Sequence, residues 1–282
     1  MNTLKRIYVM LYLTGAVVLT VVAARGLLAG DHWAAYLGVL FTVLPIVLML
    51  SFAMLTRRMA RTSANFPVFI ALGVVGLLWA GWDFHFAGGE RAPVWMALAG
   101  LVGFLLYVFW YSRFGRKPSP AIAVGTVLPA FEVLDSAGNA VPSSQLTQTP
   151  AVLIFIRGNW CPLCMGQVNE MAAGIAPFVE RGIRVAFIAP QSVGKTATLA
   201  KGKPDGLDFY SDTENAAGRR LGIDNPASLP LGMELLGYRS ETVLPTVIAV
   251  AAGGEILWTH ETDNYRVRPT PDALLAVFND AG

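Results

Sequence analysis

Hydrophobic residues dominate the first part of the chain, where they form four long apolar stretches separated by short polar segments. The stretches cover residues 7–24, 33–55, 66–86 and 94–111. The hydrocarbon core of a bilayer, about 30 Å thick, is crossed by roughly 17–25 helical residues, and each stretch has a length in that range. The pattern therefore predicts four transmembrane helices. Because three further spans follow it, the first stretch is interpreted as a helix of the bundle, with a cleaved signal peptide as the alternative.

From about residue 115 the pattern changes to short apolar runs, with charged residues of both signs between them. One of the runs, residues 151–156, is continuous and rich in β-branched residues, which is typical of a strand buried on both faces. Residues 183–189 are predicted to form a second buried strand. Strands that alternate with helices indicate an α/β domain with a mixed central sheet. The other strands are predicted over residues 131–134, 246–250 and 255–259, and the helices over residues 162–180, 214–221 and 271–278.

The two patterns divide the chain into three parts. Residues 1–114 form the predicted four-helix transmembrane anchor, residues 115–125 a linker stiffened by Pro118 and Pro120, and residues 126–282 the α/β domain. No cysteine occurs in any of the four stretches, so the helices cannot relay electrons by thiol–disulfide exchange. Anchoring the α/β domain to the lipid bilayer is therefore their predicted role.

Charge follows the same division. The chain has 21 Lys and Arg and 19 Asp and Glu, a net charge of +2 that gives no reason to expect a nucleic-acid partner. In the first part the basic residues gather at the N-terminus, after the second stretch and after the fourth, and the positive-inside rule makes these segments cytoplasmic. We therefore predict a bacterial inner-membrane protein whose N-terminus and α/β domain face the cytoplasm, with a periplasmic domain as the alternative. The residues that carry this prediction are Lys5, Arg6, Arg57, Arg58, Arg61, Arg113, Arg116 and Lys117.

Two ionisable residues, Asp83 and His85, lie at the end of the third stretch among aromatic residues. We interpret the aromatic residues as a belt at the membrane surface, where the Asp and His side chains would be in contact with water. A proton or quinone site is the alternative, since ionisable groups within a membrane are often functional. No second charged residue lies deep in another span, which favours the belt.

The two cysteines of the chain, Cys161 and Cys164, fall within one tetrapeptide, Cys-Pro-Leu-Cys. One pair cannot form a disulfide scaffold. A structural zinc site needs four ligands, and of the three histidines two lie in the membrane part. A Cys-x-x-Cys motif between a strand and a helix is typical of a redox site. The sequence therefore predicts redox chemistry at this pair, without a metal or another cofactor.

The position of the pair indicates how it would react. Cys161 lies where a strand ends and a helix begins, and Pro162 suits the first helical position. The unpaired N–H groups and the dipole at that end of a helix favour a thiolate over a thiol. Because Cys161 is nearer the helix tip, we expect its sulfur to be the more accessible of the two and to attack first. Arg157 either adds a positive charge nearby or is a solvated residue at the strand end.

Two later segments bear on the site. Pro245 precedes the predicted strand 246–250, and it is either an ordinary strand-entry proline or a cis proline that places the Leu244 backbone beside the sulfurs. A polar and charged cluster after the final strands is interpreted as a solvated connection, because charge clusters usually lie at the surface, and the alternative is that the cluster borders the site. Its members are His260, Tyr265, Arg266 and Arg268.

Five short motifs follow one another along the second part of the chain: Val124–Phe131, Arg157–Cys164, Ser211-Asp212 with Arg219–Ile223, Leu244–Thr246 and Gly253–Ile256. By these motifs, residues 123–282 resemble the redoxin or peroxiredoxin-like family, also called the alkyl hydroperoxide reductase/thiol-specific antioxidant family. The resemblance implies a thioredoxin fold and an oxidoreductase whose redox-active residues are Cys161 and Cys164. The supporting residues that it implies are Trp160, Pro162, Arg157, Leu244 and Pro245.

The resemblance can be aligned in two ways. The Pro-x-x-x-Thr-x-x-Cys site of peroxiredoxins places the attacking sulfur at Cys164, but its Pro and Thr positions hold Arg157 and Cys161 here. The Trp-Cys-x-x-Cys site of thioredoxins places the attacking sulfur at Cys161, and Trp160 fits it. That alignment puts Phe155 where many thioredoxins have a buried acid, and Leu244 stands where peroxiredoxins often have an arginine.

With no third thiol in the chain, both alignments end in a Cys161–Cys164 disulfide, which a soluble thiol reductant such as thioredoxin or glutathione must reduce. Three functions are left open. The first is an antioxidant peroxidase that removes peroxides near the membrane, and the second is a thiol–disulfide oxidoreductase that acts on protein disulfides. The third is a non-catalytic redox sensor whose oxidation state changes the packing of the helices.

Overall fold

The structure of the protein is a computed structural model, which describes residues 2–30 and 32–279. The described residues fall into two compact units. The first unit holds Thr3–Thr56 and Thr62–Arg113. The second holds the chain from Phe114 onward together with the short segment Arg57–Arg61 and with Asn2.

Four long helices make up the first unit, and each is long and apolar enough to cross a membrane. This confirms the prediction of four long apolar helices. The fourth helix continues into a turn of π-helix over Tyr107–Tyr111. The helices are α1 (Asn2–Ala29), α2 (Trp33–Thr56), α3 (Pro67–Phe86) and α4 (Arg91–Leu106).

Small residues let the helices of this unit approach one another closely. Gly38 of α2 faces Gly76 of α3, and a Cβ atom on either glycine would collide with the carbonyl oxygen of the other. Small residues at such crossings allow the backbone contact on which helix association in membranes depends.

Asp83 departs from the sequence interpretation. Its side chain is buried, and its carboxylate lies 3.1 Å from Nδ1 of His32. The Asp83 carbonyl oxygen also accepts hydrogen bonds from the N–H groups of Ala87 and Gly89, at 3.0 and 3.1 Å. The expected contact of Asp83 with water is therefore wrong, because a histidine from a distant loop covers the carboxylate. His85 is exposed.

A seven-stranded mixed sheet forms the centre of the second unit. Its strands are β1 (Glu132–Leu134), β2 (Ala140–Pro142), β3 (Ala151–Phe155), β4 (Arg184–Ala189), β5 (Leu207–Ser211), β8 (Thr246–Val250) and β9 (Ile256–Glu261). The spatial order is β2-β1-β5-β4-β3-β8-β9, in which β3, β4 and β5 are parallel and the other pairs are antiparallel. The mixed sheet confirms the predicted fold class. Two short strands, β6 (Asp224–Asn225) and β7 (Thr242–Val243), pair separately.

Six helices accompany the sheet: α5 (Ser143–Leu146), α6 (Pro162–Ala173), α7 (Ala176–Glu180), α8 (Val193–Ala200), α9 (Ala216–Arg220) and α10 (Pro271–Ala276). The single helix predicted over residues 162–180 is in fact two, α6 and α7. Pro177 lies at the start of α7. A proline in a helix interior removes a hydrogen bond and clashes with the preceding turn, so the helix ends before Pro177 and starts again. The pattern predicted neither β5 nor α8.

The segment that links the two parts of the sequence packs on the second unit. The N–H of Phe114 donates to the carbonyl of Asp263 at 2.8 Å, and Arg116 pairs with Glu261 at 2.7 Å. Ile122, in a 3₁₀ turn over Pro120–Ile122, is fully buried. These contacts fix the segment to β9, the edge strand of the sheet.

Candidate active site

The cysteine pair follows the central strand. All five residues of β3 are buried, and after Phe155 the chain turns sharply through Gly158, which has a φ of +141°. A Cβ atom at Gly158 would also collide with Nε1 of Trp160, so the turn requires glycine. Cys161 then caps the N-terminus of α6, and Pro162 is the first helical residue, as the sequence predicts.

Both cysteines are free thiols, and both are buried. Cys161 is 2% exposed and Cys164 is 0% exposed, and their side chains are hydrogen-bonded to each other. The expectation that Cys161 would be an accessible sulfur at the helix tip is therefore wrong. The loop before the helix and the segment after β9 cover the tip, so that neither sulfur faces open solvent.

Arg268 is the cation closest to the sulfurs. Its Nη2 lies 3.4 Å from Sγ of Cys164, its Nη1 donates to Oε1 of Gln167 at 2.5 Å, and its Nε donates to the Tyr265 carbonyl at 3.2 Å. Arg268 is 5% exposed and Arg266 is 0% exposed. The interpretation of this cluster as a solvated connection is therefore wrong. The chain after β9 turns back across α6 and brings a guanidinium to the cysteines.

Arg157 supplies a second buried cation near the pair. Its Nη2 donates to the Ser228 carbonyl at 2.8 Å, and its guanidinium lies 4.7 Å from the ring centroid of Trp160 and 5.6 Å from that of Tyr265. Its backbone N–H donates to the sulfur of Cys164. The structure supports the interpretation of Arg157 as a positive charge near the cysteines. It contradicts the interpretation of Arg157 as a solvated residue at the strand end.

These contacts make the two thiols unequal. Burial opposes ionisation of Cys164, but the hydrogen bond from Cys161, the charge of Arg268 and the N–H and charge of Arg157 outweigh it, and they lower the pKa of Cys164 to about 5. The hydrogen bond to Cys164, burial and the negative charge of Cys164 raise the pKa of Cys161 well above its usual value. These opposite shifts favour the thiolate at Cys164, with the Cys161 thiol as the donor of the hydrogen bond.

Pro245 lies at the same edge of the sheet as the cysteines, since Thr246 pairs with Phe155 across β3 and β8. It lines a small cavity together with Phe155, Gln167 and Arg268. Every peptide bond in the described part of the chain is trans, so the cis interpretation of Pro245 is wrong. The Leu244 carbonyl accepts from Oγ1 of Thr246 at 2.8 Å.

A loop over residues 226–240 covers the outer side of the turn that carries the cysteines. The Tyr238 hydroxyl donates to Oδ1 of Asn159 at 2.6 Å, and the Asn159 N–H donates to Oε1 of Gln191 at 2.9 Å. The base of the loop is closed by Ser228, whose N–H donates to the Ser240 carbonyl at 2.9 Å. This loop and its contacts hold the turn in place, and nothing in the sequence pattern marked them.

The segment Arg57–Arg61 packs along α6 from Gly166 to Glu170. The Arg61 guanidinium forms an ion pair with Glu170, and its Nε donates to the Arg268 carbonyl at 3.1 Å. A Cβ atom at Gly166 would collide with the Met59 carbonyl, so the helix needs a glycine at this crossing. Arg61 thus binds the backbone of Arg268, whose side chain contacts Cys164.

This fold and this site define a class of protein that has a thioredoxin-like sheet. In that class, a buried cysteine pair lies at the start of the helix that follows the central strand. Residues 124–259 match the model of the AhpC/TSA family. The chain therefore contains an AhpC/TSA family domain over these residues. Among the described residues, no group of three or more His, Cys, Asp or Glu side chains is placed to hold a metal ion.

Three solved structures that are similar to the chain share less than 20% sequence identity with it. Peroxidoxin BcpB from Mycobacterium tuberculosis is 19% identical, with a TM-score of 0.47, and the match covers 59% of this chain and 99% of that one. Reduced Prx3 from Vibrio vulnificus is 12% identical, with a TM-score of 0.49 and coverage of 56% and 99%. A thiol peroxidase from Chromobacterium violaceum is 15% identical, with a TM-score of 0.44 and coverage of 60% and 95%. No curated protein matches the chain.

Proposed function

We propose that the chain is a membrane-anchored thiol peroxidase in which Cys164 attacks peroxide and Cys161 resolves the product. The observation that carries the proposal is the asymmetry of the pair, in which Cys164 has a pKa of about 5 and lies 3.4 Å from the Arg268 guanidinium. The thiolate is the form that reacts with peroxide, and a lowered pKa keeps it populated at neutral pH. This assignment replaces the expectation that Cys161 attacks first.

The reaction balances within the pair. The Cys164 thiolate attacks one oxygen of a hydroperoxide, the O–O bond breaks, and the departing alkoxide or hydroxide leaves as alcohol or water after taking up a proton. Cys164 is then a sulfenic acid. The Cys161 sulfur attacks it, water leaves, and a Cys161–Cys164 disulfide forms. A dithiol or two monothiols, such as those of a thioredoxin or glutathione system, supply the two electrons that restore the thiols.

Two cations serve the first step. Arg268 and Arg157 are positioned to stabilise the thiolate and the charge that develops on the departing oxygen. Gln167 and the Arg61–Glu170 pair hold Arg268, and the rings of Trp160 and Tyr265 flank the guanidinium of Arg157. Arg268 would supply the positive charge that peroxiredoxins often have from an arginine at the position of Leu244.

Burial of the sulfurs also favours a small substrate. A protein disulfide must bring its own sulfur to about 2 Å from the attacking one, and the backbone around it is bulky. With both cysteines 2% exposed or less, a peroxide needs less rearrangement of the site than a protein disulfide does. The alternative, a protein thiol–disulfide oxidoreductase, retains the support of Trp160 before the pair.

We further propose that residues 1–114 anchor the enzyme in a bacterial inner membrane, that residues 115–125 link the parts and that residues 126–282 form the redox domain. The four apolar helices support the anchoring. The basic segments support a cytoplasmic N-terminus and a cytoplasmic redox domain, which would place the enzyme where thioredoxin and glutathione are reduced. A periplasmic domain is the alternative.

Stopped-flow oxidation of the full chain by hydrogen peroxide tests the proposal, with Cys164→Ser and Cys161→Ser as matched variants. We expect Cys164→Ser to lose the fast reaction. Cys161→Ser should still consume one equivalent of peroxide and accumulate a sulfenic acid that a dimedone probe traps. Fast oxidation of Cys164→Ser, or reduction of insulin disulfides by a wild-type chain that reacts slowly with peroxide, would favour the oxidoreductase instead.

A further inference from the structure

The tip of the loop over residues 226–240 exposes large apolar side chains. Leu231, Leu235 and Leu236 are 51%, 92% and 62% exposed. Leu235 and Leu236 belong to a single turn of 3₁₀-helix over Met233–Leu236, and Leu231 precedes it. Glycines in the left-handed region bound the turn, at Gly232 and Gly237. Soluble surfaces carry scattered exposed leucines, but three on one short loop form a patch that indicates a contact.

The edge of the patch has the chemistry of a membrane interface. Tyr238 lies directly after the turn, and its ring contacts the ammonium of Lys195, whose Nζ is 4.6 Å from the ring centroid. Arg239 follows, with an exposed side chain. Apolar side chains bordered by a tyrosine and by cations are typical of segments that lie in the interface of a bilayer with anionic headgroups. The loop itself contains one carboxylate, Glu234, and one cation, Arg239.

The chain also ties the second unit, which carries this loop, to the proposed membrane anchor by a short connection. Only Ser112 and Arg113 separate Tyr111, the end of the fourth membrane helix, from Phe114, whose N–H is bonded within the second unit. A domain tethered by so short a stretch meets the lipid surface at a high effective concentration, whereas a soluble protein partner must diffuse to it. We infer that the loop over residues 226–240 inserts its leucines into the lipid interface, which rests on the membrane anchoring proposed above.

Insertion of the loop would place the thiol site at the lipid surface. Tyr238 binds Asn159, and Ser228 at the loop base accepts from Arg157, so the loop is bonded on both sides to the turn that carries Cys161. A peroxide that partitions into the interface would then reach the turn from the lipid side.

Nitroxide labels on the full chain test the inference. In a Cys161→Ala, Cys164→Ala background, single cysteines at Leu235, Ala137 and Val74 would be labelled, and the protein placed in vesicles of phosphatidylethanolamine and phosphatidylglycerol. Ala137 is an exposed residue of the β1–β2 turn, and Val74 is an exposed residue of α3. Collision with oxygen, which concentrates in lipid, is compared with collision with a water-soluble nickel chelate.

We expect the labels at positions 74 and 235 to favour oxygen and the label at position 137 to favour the nickel chelate. Leu236→Glu should shift the label at position 235 to the accessibility of position 137. In the chain with both cysteines, the same substitution should leave the rate with hydrogen peroxide unchanged.

The inference is wrong, and the anchoring stands, if the label at position 235 favours the nickel chelate while the label at position 74 favours oxygen. Shielding of position 235 from both reagents overturns it in favour of a protein contact. An aqueous label at position 74 overturns the anchoring and the inference together. Because the labelled chain lacks both thiols, none of these outcomes depends on the peroxidase proposal.

Discussion

Nη2 of Arg268 lies 3.4 Å from Sγ of Cys164, a contact between residues 104 positions apart in the chain. Arg268 reaches the sulfur because the chain after β9 folds back across α6, where Gln167 fixes the other nitrogen of the guanidinium. This contact favours a thiolate on the second cysteine of the pair, one turn into the helix. A helix dipole alone would favour the first.

Replacing Arg268 by Gln is expected to raise the pKa of Cys164, because a hydrogen bond to a charged group contributes roughly 1.5–3 kcal/mol, or about 1–2 pKa units. The rate with hydrogen peroxide at neutral pH should fall roughly 10–100-fold, since the cation also stabilises the departing oxygen. Ultraviolet absorbance of the thiolate against pH measures the first effect and stopped-flow oxidation the second. Arg220→Gln, at an exposed position of α9, is the control and should change neither.

The rate of peroxide oxidation is expected to depend on pH through Cys164. Its pKa is lowered to about 5, so the thiolate is present above that pH and becomes protonated as the pH falls through it. The rate should therefore be flat near neutrality and fall about tenfold per pH unit below about 5. Cys161→Ala removes the thiol that donates to Cys164, so its profile should be shifted to higher pH. An unshifted profile would show that this hydrogen bond does not set the pKa of Cys164.

Gly166→Ala is expected to destabilise the second unit by roughly 1–3 kcal/mol, because the added methyl group collides with the Met59 carbonyl and must displace the segment Arg57–Arg61 or the helix. Thermal unfolding of the full chain in detergent, followed by circular dichroism, measures the change. Gly194→Ala in α8 is a matched control, since a Cβ atom there meets nothing within 4 Å. That control should be neutral or stabilising by up to about 1 kcal/mol. Equal effects of the two substitutions would rule out the collision as the cause.

Cysteine labelling in intact cells is expected to show a cytoplasmic redox domain, but the native thiols cannot report it because both are buried. Ala137→Cys places an exposed thiol on the β1–β2 turn. A membrane-impermeant maleimide should label this cysteine only after the inner membrane is opened. A cysteine at exposed Gly88, between α3 and α4, should react in cells whose inner membrane is intact. Labelling of position 137 before the membrane is opened would instead place the domain in the periplasm.

Much of the fold could be predicted from the local sequence. The four helices of the first unit, strands β3, β4 and β8, and the position of Cys161 at the start of α6 all follow from apolar runs and from a proline after a cysteine. Strand β5 was missed because Asp208 interrupts its apolar pattern, and α8 was missed because its small and polar residues give a weak one.

The chemistry of the site depended on contacts that the pattern cannot contain. Arg268 belongs to a cluster of charged residues of the kind that usually lies at the surface, and only the tertiary fold turns it toward the pair. Asp83 was predicted to be in contact with water, because the pattern does not show that His32, from another loop, pairs with its carboxylate. The position of Cys161 in the sequence suggested an accessible sulfur, yet the tertiary fold leaves its side chain only 2% exposed.

Because both sulfurs are enclosed, a reductant cannot reach the disulfide in the closed arrangement described here. Each turnover would then include an opening of the helix start and its closure again, whatever the reductant is. At high concentrations of any reductant, the rate would level off at the frequency of that opening. The speed of recycling would thus be a property of this domain's own local stability, while Arg268 and Arg157 would set the speed of peroxide capture.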